Sequence, residues 1–144
     1  MKNKRCFFII LVIALLIKFS LFIYAEAYAP EAKFQFDTKM YLESGLNLAT
    51  HGIFARQDTK GNFTYETFRT PGFPLFLGVL RGLMKIPFSG IILTQIFLTI
   101  LVAFITYKAA ATFDPRLGYL SAVIVLFDPP VTIFSLMLLS ETLF

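Results

Sequence analysis

Apolar and polar positions divide this 144-residue chain into two long greasy stretches with a polar segment between them. The run "CFFIILVIALLIKFSLFIYA", residues 6–25, has the roughly 20 residues needed to cross a hydrocarbon core of about 30 Å. A second such run, "FSGIILTQIFLTILVAFITYKAA", covers residues 88–110. A third apolar run starts at Leu117 and meets Asp128-Pro129-Pro130. Proline lacks a backbone N–H and disfavours helix in the residue before it, so the third helix is predicted to end near Phe127. "VTIFSLMLLSETLF", residues 131–144, reads as the approach to a fourth helix.

Between the first two runs, Tyr41, Leu42, Leu46 and Ala49 recur at three- and four-residue steps. This predicts a short helix over residues 38–50, with Gly52 as its stop and Asp37 as its natural N-cap. Ile53 to Gln57 and Phe63 to Glu66 are β-prone runs around the turn signal "DTKGN", the pattern of a small hairpin. In "PGFPLFLGVLRGLMKIPF", Phe73, Phe76, Leu77, Leu80, Leu83 and Met84 share one helical face. That predicts an interfacial helix over 73–86, with Arg81 and Lys85 reaching toward headgroups. Hydropathy by itself leaves open whether this piece lies in the interface or spans.

The predicted class is therefore an all-α integral membrane protein, forming one unit of about three to four transmembrane helices. Its exoplasmic loop, residues 26–72, carries short interfacial helices. A composition that is 57% hydrophobic and 17% aromatic agrees with the membrane class. Lys2, Lys4 and Arg5 precede the first run and resemble a signal-peptide n-region. The apolar part is longer than a typical h-region, which favours an uncleaved helix. Positive-inside logic then places the N-terminus in the cytoplasm of a multi-pass protein of the cytoplasmic (inner) membrane. Lys18 is costly within the first helix unless it snorkels or meets a polar partner.

The loop holds six acidic and five basic residues. Basic residues along the chain form no patch with interleaved aromatics, so nucleic acid is not an expected partner. The single cysteine, Cys6, excludes an internal disulfide. His51 has no second ligand at metal spacing and reads as a polar surface residue, and Glu43 falls on a different helix face from Asp37. Asn62-Phe63-Thr64 matches the N-glycosylation triplet, a pattern common by chance. The chain has no Gly-rich phosphate loop and no nucleophile elbow.

An acidic residue after the first helix, "RTPGFPLFLGVL" at 69–80 and "SETLF" at 140–144 occur in an order with a parallel elsewhere. Together they resemble the N-terminal part of multi-pass glycosyltransferases of the GT-C class. The likeness is greatest to the protein O-mannosyltransferase and lipid A aminoarabinose transferase group. It covers nearly the whole chain, and the Arg-Thr-Pro-Gly-Phe-Pro-Leu-Phe-Leu run is its most specific element.

The resemblance implies transfer of a sugar from a polyprenyl-phosphate donor to an acceptor on the exoplasmic face. In that reading Asp37 and Glu141 are catalytic: Asp37 serves as, or next to, the base, and Glu141 positions acceptor or donor. Arg69 and His51 would contact substrate. Many relatives carry a second acid beside the first, where this chain has Thr38. The resemblance fixes no cofactor beyond the lipid-linked sugar donor as substrate, and relatives vary in whether a divalent metal is present. Relatives also continue for many more helices. The chain is thus expected to be an N-terminal portion that performs no transfer alone. The competing expectation is a small non-catalytic integral membrane protein or a transporter fragment.

Overall fold

The computed structural model describes residues 2–58 and 60–140. The fold is mostly helical, and its elements run α1 (Lys2–Tyr28), a short 3-10 turn (Pro30–Lys33), α2 (Thr38–His51), β1 (Ala55–Gln57), β2 (Phe63–Tyr65), α3 (Gly72–Leu77), α4 (Phe88–Ala111), α5 (Pro115–Phe127) and α6 (Pro129–Phe134). Between α3 and α4 the chain continues as π-helical turns, Gly78–Leu83. The all-α expectation is thus modified by one antiparallel hairpin, in which Ala55 faces Tyr65 and Gln57 faces Phe63.

Among the described residues, two helices are long and apolar enough to cross a membrane, Phe7–Tyr28 and Phe88–Ala111, which points to membrane association. They run antiparallel. Phe7, near the start of α1, stacks on Tyr107 near the end of α4 at 4.2 Å. Midway, Ala14 and Ala103 are both buried in one cluster with Leu126. At the opposite end, Phe34 meets Phe88 edge-on at 5.1 Å. Chain reversal after α4 uses Asp114, whose Oδ1 accepts from Arg116 N at 2.6 Å to cap α5. Gly118 permits α5 to lie against α4: a Cβ there would come within 2.8 Å of the Ala111 Cβ.

The interval between the long helices folds as a cap over one end of the pair. Here α2 crosses α3 with almost no separation. A Cβ on Gly45 would lie 2.0 Å from Pro74 O, and one on Gly78 would lie 2.1 Å from Gly45 O. Only glycine at both positions lets the two backbones touch. Beneath this crossing, Phe73 and Leu77 of α3 join Ile91, Ile92 and Ile96 of α4 and Leu138 in the main core, all fully or nearly fully buried. Each side chain of this size removed from water contributes roughly 1.5–3 kcal/mol, and this cluster seats the cap on the helices.

Two expected elements have different limits. The helix expected over 73–86 stops at Leu83. Lys85 takes a left-handed φ of 57°, and Ile86 N returns to Leu80 O, a closure of the Schellman type ahead of Pro87. Leu83 and Met84, expected on the apolar face, are exposed. Arg81 does not extend outward: it donates to Ile86 O at 3.3 Å and covers the Phe88 ring.

The helix expected over 131–144 is also shorter. α6 ends at Phe134 and turns follow through Ser140. The cause is long-range pairing: Leu138 N donates to Lys33 O at 2.9 Å, and Leu138 O accepts from Thr38 Oγ1 at 3.1 Å. Those backbone groups are therefore engaged with distant partners instead of helical neighbours. The break at 128–130 has two components. Asp128 N closes α5 on Ile124 O, and Asp128 Oδ2 accepts from Val131 N to cap α6.

Candidate functional site

Four elements bring charged groups together on the cap. The hairpin register pairs Arg56 with Thr64, which makes Glu66 the diagonal neighbour of Arg56 on the same face. Arg56 Nε lies 3.1 Å from Glu66 Oε2 as an ion pair, though its angle is too poor for a hydrogen bond. The Glu66 side chain is fully buried. Its Oε1 accepts from Phe68 N at 3.1 Å, and Oε2 also accepts from Arg69 Nη1 at 3.4 Å. Arg69 then extends its Nη2 to Asp37 Oδ1 at 2.5 Å. The result is an alternating chain, Arg56–Glu66–Arg69–Asp37, that begins under the hairpin and ends at the surface.

Asp37 stands at the position before α2, but its side chain does not cap the helix. Its backbone is already helical, with φ −79° and ψ −19°. A capping carboxylate needs an extended backbone to fold back over the first N–H groups. The Asp37 side chain is directed to Arg69 instead, and 44% of it is exposed. Thr38 is buried. Its hydroxyl accepts from Gln35 N at 2.9 Å and donates to Leu138 O. An ionised acid there could not make the donated bond, so this site is organised around one surface carboxylate.

Tyr41 sits one turn into α2 under the Arg69 guanidinium, 5.4 Å from ring to charge. Its ring meets Phe73 edge-on at 5.3 Å, and its hydroxyl lies 3.3 Å from Ser140 Oγ. Asp37, Arg69, Tyr41 and Ser140 thus form one neighbourhood, drawn from three parts of the sequence. The Asp37 hydrogen bond is the main cause that raises the Arg69 pKa above its ordinary value. The guanidinium therefore keeps its charge beside Asp37.

Other expected site residues fall elsewhere. His51 ends α2, a helix of 14 residues, so it lies about 20 Å along the axis from Asp37. It is exposed, with Nδ1 2.8 Å from Thr50 Oγ1 and its ring near Phe63. Glu141 lies outside the described residues; its neighbour Ser140 is the last described position. Glu43 positions the hairpin by accepting from Gln57 N at 2.7 Å.

The sequence reading missed Glu66 and Tyr41. The diagonal partnership of Arg56 and Glu66 was accessible once the hairpin register was drawn. No local signal marks Tyr41, because its spacing is that of an ordinary apolar face. Among the described residues, no group of three or more His, Cys, Asp or Glu is placed to hold a metal ion. No protein-family model matches the chain, and neither a curated protein nor a solved structure matches it.

Proposed function

We propose that this chain is the N-terminal part of a membrane glycosyltransferase that moves a sugar from a polyprenyl-phosphate donor to an acceptor on the exoplasmic face. The observation that carries the reading is the surface Asp37–Arg69 pair, set where the cap meets the two long apolar helices. A carboxylate is the group needed to take a proton from an acceptor hydroxyl as it attacks an anomeric carbon. A guanidinium is the group needed to receive the departing phosphate. The two roles are coupled. A phosphate bound to Arg69 would draw the guanidinium away from Asp37 and leave that carboxylate a stronger base. Glu141, next in sequence to Ser140, is assigned to acceptor or donor positioning.

Charge distribution supports the sidedness. Lys2, Lys4, Arg5, Lys108 and Arg116 cluster in sequence at the end of the helix pair away from the cap. By the positive-inside rule that end is cytoplasmic, which makes the protein multi-pass with a cytoplasmic N-terminus and about three crossings. His51, at the far end of α2, is given no role in transfer.

The test is made on the product of the natural gene, with all the coding sequence its locus supplies. Asp37→Asn should lower transfer from a polyprenyl-phosphate sugar by about 100-fold or more at unchanged expression. Undiminished transfer, or a locus whose product transfers no sugar, would assign the chain to the non-catalytic class instead.

A further inference from the structure

We propose that residues 115–140 make a third, interrupted membrane crossing, and that Lys18 anchors its broken midpoint from inside the first. This inference is independent of the transfer chemistry.

The argument rests on a sequence of contacts that advances in step along both segments. α5 starts beside the base of α1: Tyr119 lies 5.3 Å from Tyr107, the ring on which Phe7 stacks. Near the end of α5, Leu126 shares a cluster with Ala14. One turn further along α1, Lys18 Nζ donates to Thr132 Oγ1 of α6 at 3.0 Å. Then Ile133, Leu136 and Met137 line a groove of about 120 Å³ together with Phe22 and Ala25. Finally Leu138 N reaches Lys33 O, and Ser140 reaches Tyr41 on the cap. Residues 119, 126, 132, 136 and 138 thus accompany the whole length of α1 in the same direction.

Length agrees with this path. α5 has 13 residues and α6 has 6, close to the roughly 20 helical residues that one crossing requires. Neither helix would suffice alone. The interruption at Asp128-Pro129-Pro130 lies near mid-depth, where irregular backbone is tolerated only when buried in protein. Prolines at 129 and 130 deprive the Val125 and Leu126 carbonyls of their helical donors.

Lys18 is 1% exposed and lies close to the middle of the Phe7–Tyr28 span. An ammonium there would be expensive against lipid. Its ammonium donates to the Thr132 hydroxyl and has the Asp128 carboxylate within electrostatic reach. The lysine thus finds its partner just past the break. This explains why the segment stays folded against α1 and delivers Ser140 to the cap.

Two measurements on the chain in membranes test the proposal, in a Cys6→Ser background. A membrane-impermeant maleimide should label Phe36→Cys and Ser140→Cys from one side and Phe113→Cys from the other. Labelling of Ser140→Cys from the side of Phe113→Cys would overturn the crossing. For the anchor, the oxidative cross-link between Tyr41→Cys and Ser140→Cys reports docking, and the cross-link between Phe7→Cys and Tyr107→Cys reports the α1–α4 pair. Thr132→Val, which keeps the side-chain shape, should lower the first by about threefold and spare the second. Lys18→Met should lower it further, while Lys18→Gln, still a donor, should retain more. Unchanged docking in both Thr132→Val and Lys18→Met would overturn the anchor.

Discussion

In the paired long helices Phe7 stacks on Tyr107 and Ala14 meets Ala103, whereas in the cap two glycines bring backbones into contact and four charges form a chain. The two cations that matter most show the same division. Lys18 is buried between apolar helices and bonded to a neutral hydroxyl, while Arg69 lies near the surface between two carboxylates. Lipid offers no hydrophobic gain for helix association, so the long helices rely on close fit, rings and single polar contacts. At the water side, apolar burial is available again. There it seats the cap through Phe73, Leu77 and Leu138, and ionic groups can be arranged above it without facing hydrocarbon.

The strongest way to break this contrast is to separate the glycine crossing. Gly45→Ala forces a methyl group onto the Pro74 carbonyl, where both sides are backbone and neither can rotate away. The expected cost is about 3 kcal/mol, at the upper end for overpacking. Hydrogen exchange should show α2 and α3 losing protection while α4 and α5 keep theirs. Equal loss in all four helices would mean that the cap and the helix pair are one cooperative unit.

A smaller effect is expected from interrupting the charge chain. Glu66→Gln removes the buried carboxylate between Arg56 and Arg69. Because both arginines retain access to water, the loss should be about 2 kcal/mol, less than for a fully buried pair. Denaturant unfolding measures it. The mutation should also free Arg69 to hold Asp37 differently, which altered backbone amide shifts at Asp37 and Thr38 would record. No change in either quantity would reduce the chain to a surface ornament.

The smallest effect concerns the hairpin turn. Backbone N–H of Asn62, with its side chain and the N–H of Lys60 and Gly61, holds the Asp58 carboxyl below its ordinary pKa. A depressed carboxylate contributes order above its unfolded pKa, about 3.9, and loses it as pH falls through the lower folded value. Amide protection at Lys60 and Asn62 should therefore fall as the pH drops below about 4. In Asp58→Asn the pH dependence should disappear, and the long helices should be indifferent to both changes.

Much of the fold was legible in the residue order, and the reasons are local. Runs 6–25 and 88–110 are apolar throughout, and both belong to helices. Gly52, at φ 71°, stops α2 where a left-handed residue is needed. Asp128-Pro129-Pro130 stops α5 by the covalent chemistry of proline. The site was less legible. Asp37 and Arg69 were both picked out as candidates, yet their contact spans 32 positions and no spacing rule encodes it. The N-cap expectation for Asp37 failed because the turn at Gln35–Thr38 had already set a helical backbone at residue 37. His51 shared a polar segment with Asp37, but one helix length now lies between them.

What the sequence determined by itself was where helices begin and end, because hydrophobic runs, glycines and prolines act on their own neighbours. Tertiary structure alone decided which side chains meet. Lys18 found Thr132 across 114 positions, and Thr38 found Leu138 across 100. Such pairs form when a buried polar group must find a partner among whatever the packed helices bring within reach. That choice depends on the whole path of the chain.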